Sequence, residues 1–374
     1  MDQTEALIIE TIDRHREEIL EFARDIYSHA ELGYKEFQTS EKFVKKMEQL
    51  GLRTEKGFAI TGVKSYLNED KKENASLALL GELDALRIPE HTFANPETNA
   101  AHCCGHHAQM AGVFGAALAL TVPEIAEKLD GQVVFFATPA EEYGEIEFKN
   151  QLREQGKIRY GGGKCELLRI GAFDDIDLCL THHIRPGNEI LVGSGTGNGF
   201  VSKVIRVLGK ASHAAGAPEK GVNALSAASL GLQALGLNRE TFRDEDCVRV
   251  HPIITKGGNL VNVIPDEVVV ETLVRGKTIE AFTDAAKKTD RSFKAGAVAM
   301  GAKVEISTLP GYLPTLAEEA LPELKHAAEI SASGIPVIEA SGHAGGSTDV
   351  GDVQHLMPVY TFNTGGVKGG LHQI

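Results

Sequence analysis

Apolar residues Leu7, Ile8, Ile12, Ile19, Leu20 and Phe22 recur at near-helical spacing, so residues 4–28 are predicted to be helical. A turn at Glu31-Leu32-Gly33 follows, and a second helix over residues 39–50 is stopped by Gly51. Short apolar runs at 76–80, 132–137, 177–180 and 359–362 then have the length and residue types of buried strands. A helical stretch at 109–120 separates two of them. Strands alternating with helices predict an α/β domain, a mostly parallel sheet with helices on both faces.

The middle of the chain changes character. Its pattern is strand (201–208), helix (222–235), strand (248–255), strand (267–275), helix (279–300) and strand (303–308). That order, β-α-β-β-α-β, is the split ferredoxin-like unit. It lies between two stretches of the first pattern, so an inserted α+β domain is expected at 198–308. The first domain would then be built from 1–197 and 309–374, with hinges near 192–199 and 309–313.

Composition narrows the function. A length of 374 residues suits two domains, and a net charge of −14 argues against nucleic acid as a partner. No run of about eighteen apolar residues is present, so no membrane span is expected. The start, Met1-Asp2-Gln3-Thr4-Glu5, lacks the basic and apolar stretches of a signal peptide. Five cysteines without repeated spacing form no disulfide framework, and a cytoplasmic protein with free thiols is expected.

In open parallel sheets, ligands bind beyond the carboxyl ends of the strands. Glu82 and Asp84 follow the first predicted strand, and a long loop leads to His102-Cys103-Cys104-Gly105-His106-His107. Pro139-Ala140-Glu141-Glu142 follows the second, His182-His183 the third, and a glycine-rich stretch ending at His372 the fourth. Metal-competent side chains thus recur at one end of the sheet. Cysteine and histidine two apart in an extended loop point the same way, so Cys104 and His106 can reach one metal region. His102 and His107 compete with His106 on chemical grounds alone. In Glu141-Glu142 one carboxylate can bind metal while the other takes a proton from water. A Glu-Glu pair is more often solvated surface charge, but this one ends a buried strand. One of His182 and His183 should be a ligand, because adjacent strand residues face opposite ways. His15, His29, His91, His326 and His355 carry no such signal.

Four segments carry a family resemblance. His102-Cys103-Cys104-Gly105-His106, Pro139-Ala140-Glu141-Glu142, Gly209-Lys210-Ala211-Ser212-His213-Ala214 and Asn262-Val263-Ile264-Pro265 occur in the expected order. Together with His29-Ala30-Glu31-Leu32-Gly33, they resemble the amidohydrolase branch of the aminoacylase/carboxypeptidase metallopeptidase superfamily. Members of that branch hydrolyse hippurate, auxin conjugates, N-acetylated amino acids and aminobenzoyl-glutamate.

The resemblance implies two divalent ions, zinc or manganese. Cys104 would bridge them, and His106, Glu142, His183 and His372 would complete the ligands. Glu141 would be the general base. The inserted domain would be a lid and a possible homodimer contact; its His213 would stabilise the charged carbonyl, and Asn262 and Arg275 would hold substrate. The implied activity is hydrolysis of the amide bond in a small N-acyl amino acid or aminobenzoyl-glutamate-like substrate. The stretch Gly345-Gly346-Ser347-Thr348-Asp349 tilts the likeness towards the aminobenzoyl-glutamate hydrolases.

Two features depart from the pattern. Where the family usually reads Gly-His-Asp-Gly-His, this chain reads Gly105-His106-His107-Ala108-Gln109. It also stops two residues after His372, which predicts a weakly held last ligand. These departures support a rival expectation, a metal-binding homologue without activity that acts as a binding protein. A second rival is a cysteine hydrolase with Cys103 or Cys104 as nucleophile, which would be insensitive to chelators.

Overall fold

The N-terminal apolar stripe forms two helices rather than one in the computed structural model, which describes residues 1–332 and 334–372. Helix α1 (Gln3–Arg14) starts at a capping box: Asp2 Oδ1 accepts from the Thr4 and Glu5 amides, and Glu5 Oε2 accepts from the Asp2 amide. The chain then breaks at His15 (φ −96°, ψ 12°) before α2 (Arg16–Ser28). An apolar spacing of 3.6 marks a helical period and does not reveal where one helix ends and the next begins. Helix α3 (Phe37–Gln49) begins two residues before the position expected from sequence.

An antiparallel pair, β1 (Arg53–Phe58) and β2 (Gly62–Leu67), was not evident in the apolar pattern. β1 is polar and mostly exposed, so it lacks a clean alternation. The remaining principal strands of this sheet are β3 (Ser76–Glu82), β4 (Gln132–Thr138), β5 (Leu178–Pro186), β6 (Ile190–Val192), β7 (Val337–Glu339) and β8 (Val359–Val367). The sheet order is β1-β2-β4-β3-β5-β8-β6-β7. β4, β3, β5 and β8 run parallel to one another, which makes the centre of the sheet parallel. Every residue of β4 is buried, as expected of a strand covered on both faces. One apolar cluster includes Leu80, Val134, Phe136 and Phe173, and another includes Phe22, Phe43, Phe114 and Phe135. Helix α4 (His106–Leu120) begins at His106, three residues before the predicted start, and packs against the second cluster.

By contacts within the chain, this first unit comprises Met1–Gly195, Leu316–Gly342 and the residues from Thr348 onward. The second unit comprises Thr196–Thr315 and His343–Ser347. It contains β9 (Gly199–Leu208), α5 (Ala224–Asn238), β10 (Arg249–Val250), β11 (Ile253–Lys256), β12 (Glu267–Gly276), α6 (Ile279–Met300) and β13 (Lys303–Pro310). The predicted strand at 248–255 is split at His251-Pro252, since proline donates no ladder hydrogen bond; both pieces pair with β12. β12 lies between β10 and β9, and β9 also pairs with β13, all antiparallel. Alternate burial along β12 turns Val268, Val270 and Val274 onto α5 and α6, around Phe293. Among the described residues no helix is long and apolar enough to cross a membrane.

Candidate metal centre

The carboxyl ends of β3, β4, β5 and β8 bring together most of the residues singled out by sequence. The loop before α4 turns at Gly105, where φ is +98° and a Cβ would lie 2.2 Å from Ile184 atoms. Glycine is therefore required there, and it sets His106 into the first turn of the helix. His106 Nδ1 lies 2.8 Å from the Asp84 carbonyl oxygen. A carbonyl only accepts, so Nδ1 carries a proton and Nε2 is the ring nitrogen that faces the site. His183 is fixed in the same way, with Nδ1 at 2.7 Å from the Ile184 carbonyl and Nε2 at 3.4 Å from Cys104 Sγ.

Strand parity separates the two neighbouring histidines. β5 extends through both of them, to Pro186, so they face opposite sides. His182 stacks on Phe362 (5.2 Å, 13°), and a Cβ on Gly112 of α4 would meet its ring at 2.6 Å. Gln109 replaces a family histidine and acts as an anchor. Its Oε1 accepts from the Glu82 amide at 2.8 Å and its Nε2 donates to the His182 carbonyl at 2.7 Å, tying α4 to β3 and β5. His107 packs instead against Tyr27 (4.8 Å) and His102 (5.4 Å).

Donor atoms converge in overlapping groups, each within 4.8 Å: Cys104, His106 and His183; Cys104, Glu142 and His372; His106, Glu141 and Glu142. Cys104 belongs to the first two groups, and His372 Nε2 lies 3.0 Å from Glu142 Oε1. His106 Nε2 and Glu142 Oε1 are both buried, and their near neighbours are other side chains of the site, Glu82 Oε2 and His372 Nε2. Sulfur, imidazole and carboxylate donors grouped in this way suit a divalent transition metal. The residues fit a pair of such ions. His102, Cys103, His107 and His182 fall in none of these groups.

A set of charges not assigned from sequence lies against these donors. Lys164 is fully buried, with Nζ 2.6 Å from Glu82 Oε1 and 2.7 Å from Asp349 Oδ1. Burial opposes its charge, but Asp349 and Glu82 hold its pKa above the ordinary value. Glu82 Oε2 in turn lies 3.1 Å from His106 Nε2, and the Asp84 carboxylate accepts from the Glu142 amide at 2.9 Å. Burial, with Glu82 and Glu142 nearby, raises the Glu141 pKa well above the carboxylate range. Burial pushes the Cys104 thiol up to about 12, against the pull of His106. Lys164 was missed because a charged residue in Gly161-Gly162-Gly163-Lys164 gives no sequence sign of burial. Asp349 ends the glycine-rich 345–349 stretch and drew no role, whereas Glu82 and Asp84 counted among the metal-competent side chains at the strand ends without a specific part.

The lid candidates belong to the second unit. His213 and Asn262 lie on paired, exposed segments: the Ala214 amide donates to the Asn262 carbonyl at 3.0 Å, and His213 bridges Val263. His213 Nδ1 accepts from the Gly216 amide at 3.0 Å. Arg275 sits on β12, with Nη1 3.1 Å from Ser347 Oγ.

A metallopeptidase fold and donor set of this kind define the class, and comparison with known proteins gives the family. Residues 78–374 match the model of peptidase family M20/M25/M40, and the chain belongs to that family. It is 29% identical to mouse Xaa-Arg dipeptidase over 69% of this chain and 56% of that protein. It is 30% identical to Arabidopsis thaliana IAA-amino acid hydrolase ILR1-like 2 over 71% and 56%. Against the N-acetyl-L-cysteine deacetylase of Bacillus subtilis the identity is 28%, over 69% and 59%. The matches thus span little more than half the length of these relatives. Among solved structures, an aminohydrolase from methicillin-resistant Staphylococcus aureus aligns over 99% of this chain and 93% of its own (TM-score 0.71, 21% identity). The Bacillus subtilis YXEP protein, described as a dinuclear metal-binding peptidase, aligns over 96% and 92% (TM-score 0.63, 23% identity).

Proposed function

We propose that the protein is a metal-dependent amidohydrolase that cleaves the amide bond of small N-acyl amino acids or aminobenzoyl-glutamate-like compounds. The observation that carries this reading is the sharing of Cys104 between two donor groups, one with His106 and His183 and one with Glu142 and His372. A thiolate common to both groups suits two cations side by side. Divalent ions held there, zinc or manganese, would supply Lewis-acid polarisation of the scissile carbonyl and acidify the attacking water.

The remaining work falls to the chain. Glu141, among the donors but beside Glu142 rather than between Cys104 and a histidine, accepts the proton of the water and passes it to the departing amine. His213 supplies a donor to the charged carbonyl oxygen, and Asn262 and Arg275 hold the polar ends of the substrate, as the family resemblance implies. A homodimer through the inserted unit belongs to the same reading, and the exposed Ile253 and Ile254 on edge strand β11 support it. A reducing, cytoplasmic setting belongs to it too, because the spacing of the five cysteines does not suit a disulfide framework.

The test is hydrolysis of a panel of N-acyl amino acids, Xaa-Arg dipeptides and aminobenzoyl-glutamate by chelated protein, with and without added zinc or manganese. Metal-dependent release of the free amine is expected. Release that persists after chelation and stops on thiol alkylation would instead identify a cysteine hydrolase.

A further inference from the structure

We propose that Glu36 is a positioning residue for the catalytic segment, clamping the Ala140 backbone in the conformation from which Glu141 and Glu142 are aimed. This rests on the roles proposed above for those two carboxylates. The geometry is independent of them.

Glu36 is fully buried directly before α3, yet its side chain does not cap that helix. Glu31 does so, accepting from the Thr39 amide at 2.9 Å and the Gln38 amide at 3.2 Å. Glu36 reaches elsewhere. Its Oε1 accepts from the Ala140 amide at 2.7 Å and its Oε2 from the Thr61 hydroxyl at 2.7 Å. A buried carboxylate destabilises a fold unless hydrogen bonds compensate it. Here one of those bonds goes to the residue that starts the catalytic segment.

Ala140 has reason to need a clamp. Its φ is +49°, left-handed, where a Cβ clashes with the backbone. Nothing in its side chain favours that state, so its surroundings must impose it. The other side of the same residue is also held, since the Ala140 carbonyl accepts from the Gly163 amide at 3.0 Å. A Cβ on Gly163 would lie 1.6 Å from the Pro139 oxygen, and one on Gly33 would lie 3.0 Å from Ala140. The turn is therefore seated between two glycines and tied at both polar groups. Relaxation of Ala140 to negative φ would redirect both carboxylates that follow it. Displacements of about 1 Å at reacting groups cost on the order of a hundredfold in rate. Losing a residue that orients metal ligands typically weakens metal binding by about ten- to a hundredfold.

The experiment compares Glu36→Ala and Glu36→Gln. Each chelated protein is titrated with zinc, and kcat and KM are measured on a substrate that the unaltered protein turns over. Glutamine keeps an acceptor for the Ala140 amide and offers a donor to the Thr61 hydroxyl. Glu36→Ala is expected to bind zinc at least about tenfold more weakly and to lose about a hundredfold in kcat with KM within about threefold. Glu36→Gln should restore both to within about threefold. Unchanged zinc affinity and kcat in Glu36→Ala would overturn the proposal, as would equal impairment of the two variants. Should Glu36→Ala not fold, amide hydrogen exchange of the unaltered protein decides: Ala140 protected like the core strands supports the clamp, and exchange at exposed-loop rates refutes it. A protein inert towards the whole panel would sink the functional reading alone, leaving zinc affinity and amide exchange to judge Glu36.

Discussion

The proposed reading gives two neighbouring carboxylates different roles, because Glu142 shares a donor group with Cys104 and Glu141 does not. Glu141→Gln is therefore expected to lower kcat at least about a thousandfold while zinc stoichiometry, read by mass spectrometry or atomic absorption, stays the same. Cys104→Ala should do the reverse, releasing bound metal first and losing activity as a consequence. Full metal content in Cys104→Ala would remove the thiol from the site. Glu36 makes a pH prediction. Burial, with Asp84 nearby, pushes its pKa from 4.5 up to about 7 in the folded protein. The folded state thus keeps a proton that the unfolded chain releases, a stabilisation complete below the unfolded value and lost as pH rises through about 7. Glu36→Gln does not titrate, so its urea midpoint should gain on that of the unaltered protein between about pH 5 and pH 8; a constant difference would show that Glu36 is not so perturbed. At this scale the sequence was informative about donors and silent about their support. Cys104, His106 and Glu142 stand out by residue type and place. Lys164 and Glu36 do not, because burial depends on residues far along the chain, Asp349 and Ala140 among them.

Elements were legible where burial imposes a pattern on the sequence, alternating or continuous. β12 alternates strictly in burial, and β4 is a continuous apolar run, so both can be found from their pattern. β1 is an exposed edge strand rich in charge, and no period marks it. Similarly, β5 runs on to Pro186, well beyond the apolar run that announced it, and only that extension decides which of His182 and His183 faces the donors. In the second unit, α5 and α6 approach through small residues: a Cβ on Gly296 would lie 2.4 Å from the Ala227 carbonyl oxygen and 2.6 Å from the Gly231 amide nitrogen. Both are backbone atoms and cannot rotate away. Gly296→Ala should therefore destabilise this unit by roughly 1–3 kcal/mol despite the better helix propensity of alanine. A thermal melt in which Gly296→Ala matched or exceeded the unaltered protein would mean that the helices separate more easily than their packing indicates.

The two units have separate hydrophobic cores, one around β3, β4 and β5 and one around β9, β12 and Phe293. Every donor group found among the described residues lies in the first unit, and the second enters the chain as an insertion. Its first and last long strands, β9 and β13, pair from Val201↔Pro310 to Leu208↔Lys303, so the main segment of this unit begins and ends side by side. A module with its own core and adjacent ends can unfold by itself. A ligand that binds one folded unit stabilises that unit by RT ln(1 + [L]/Kd), about 4 kcal/mol at a thousandfold excess over Kd. Calorimetry of the chelated protein is therefore expected to resolve two transitions, and saturating zinc should raise one of them by about 10 °C while leaving the other in place. Gly296→Ala identifies them, because it should lower only the transition that zinc does not move. If zinc moved the transition that Gly296→Ala lowers, the metal would be bound by the inserted unit. If one joint transition responded to both, the two cores would be coupled strongly enough to unfold as a single block.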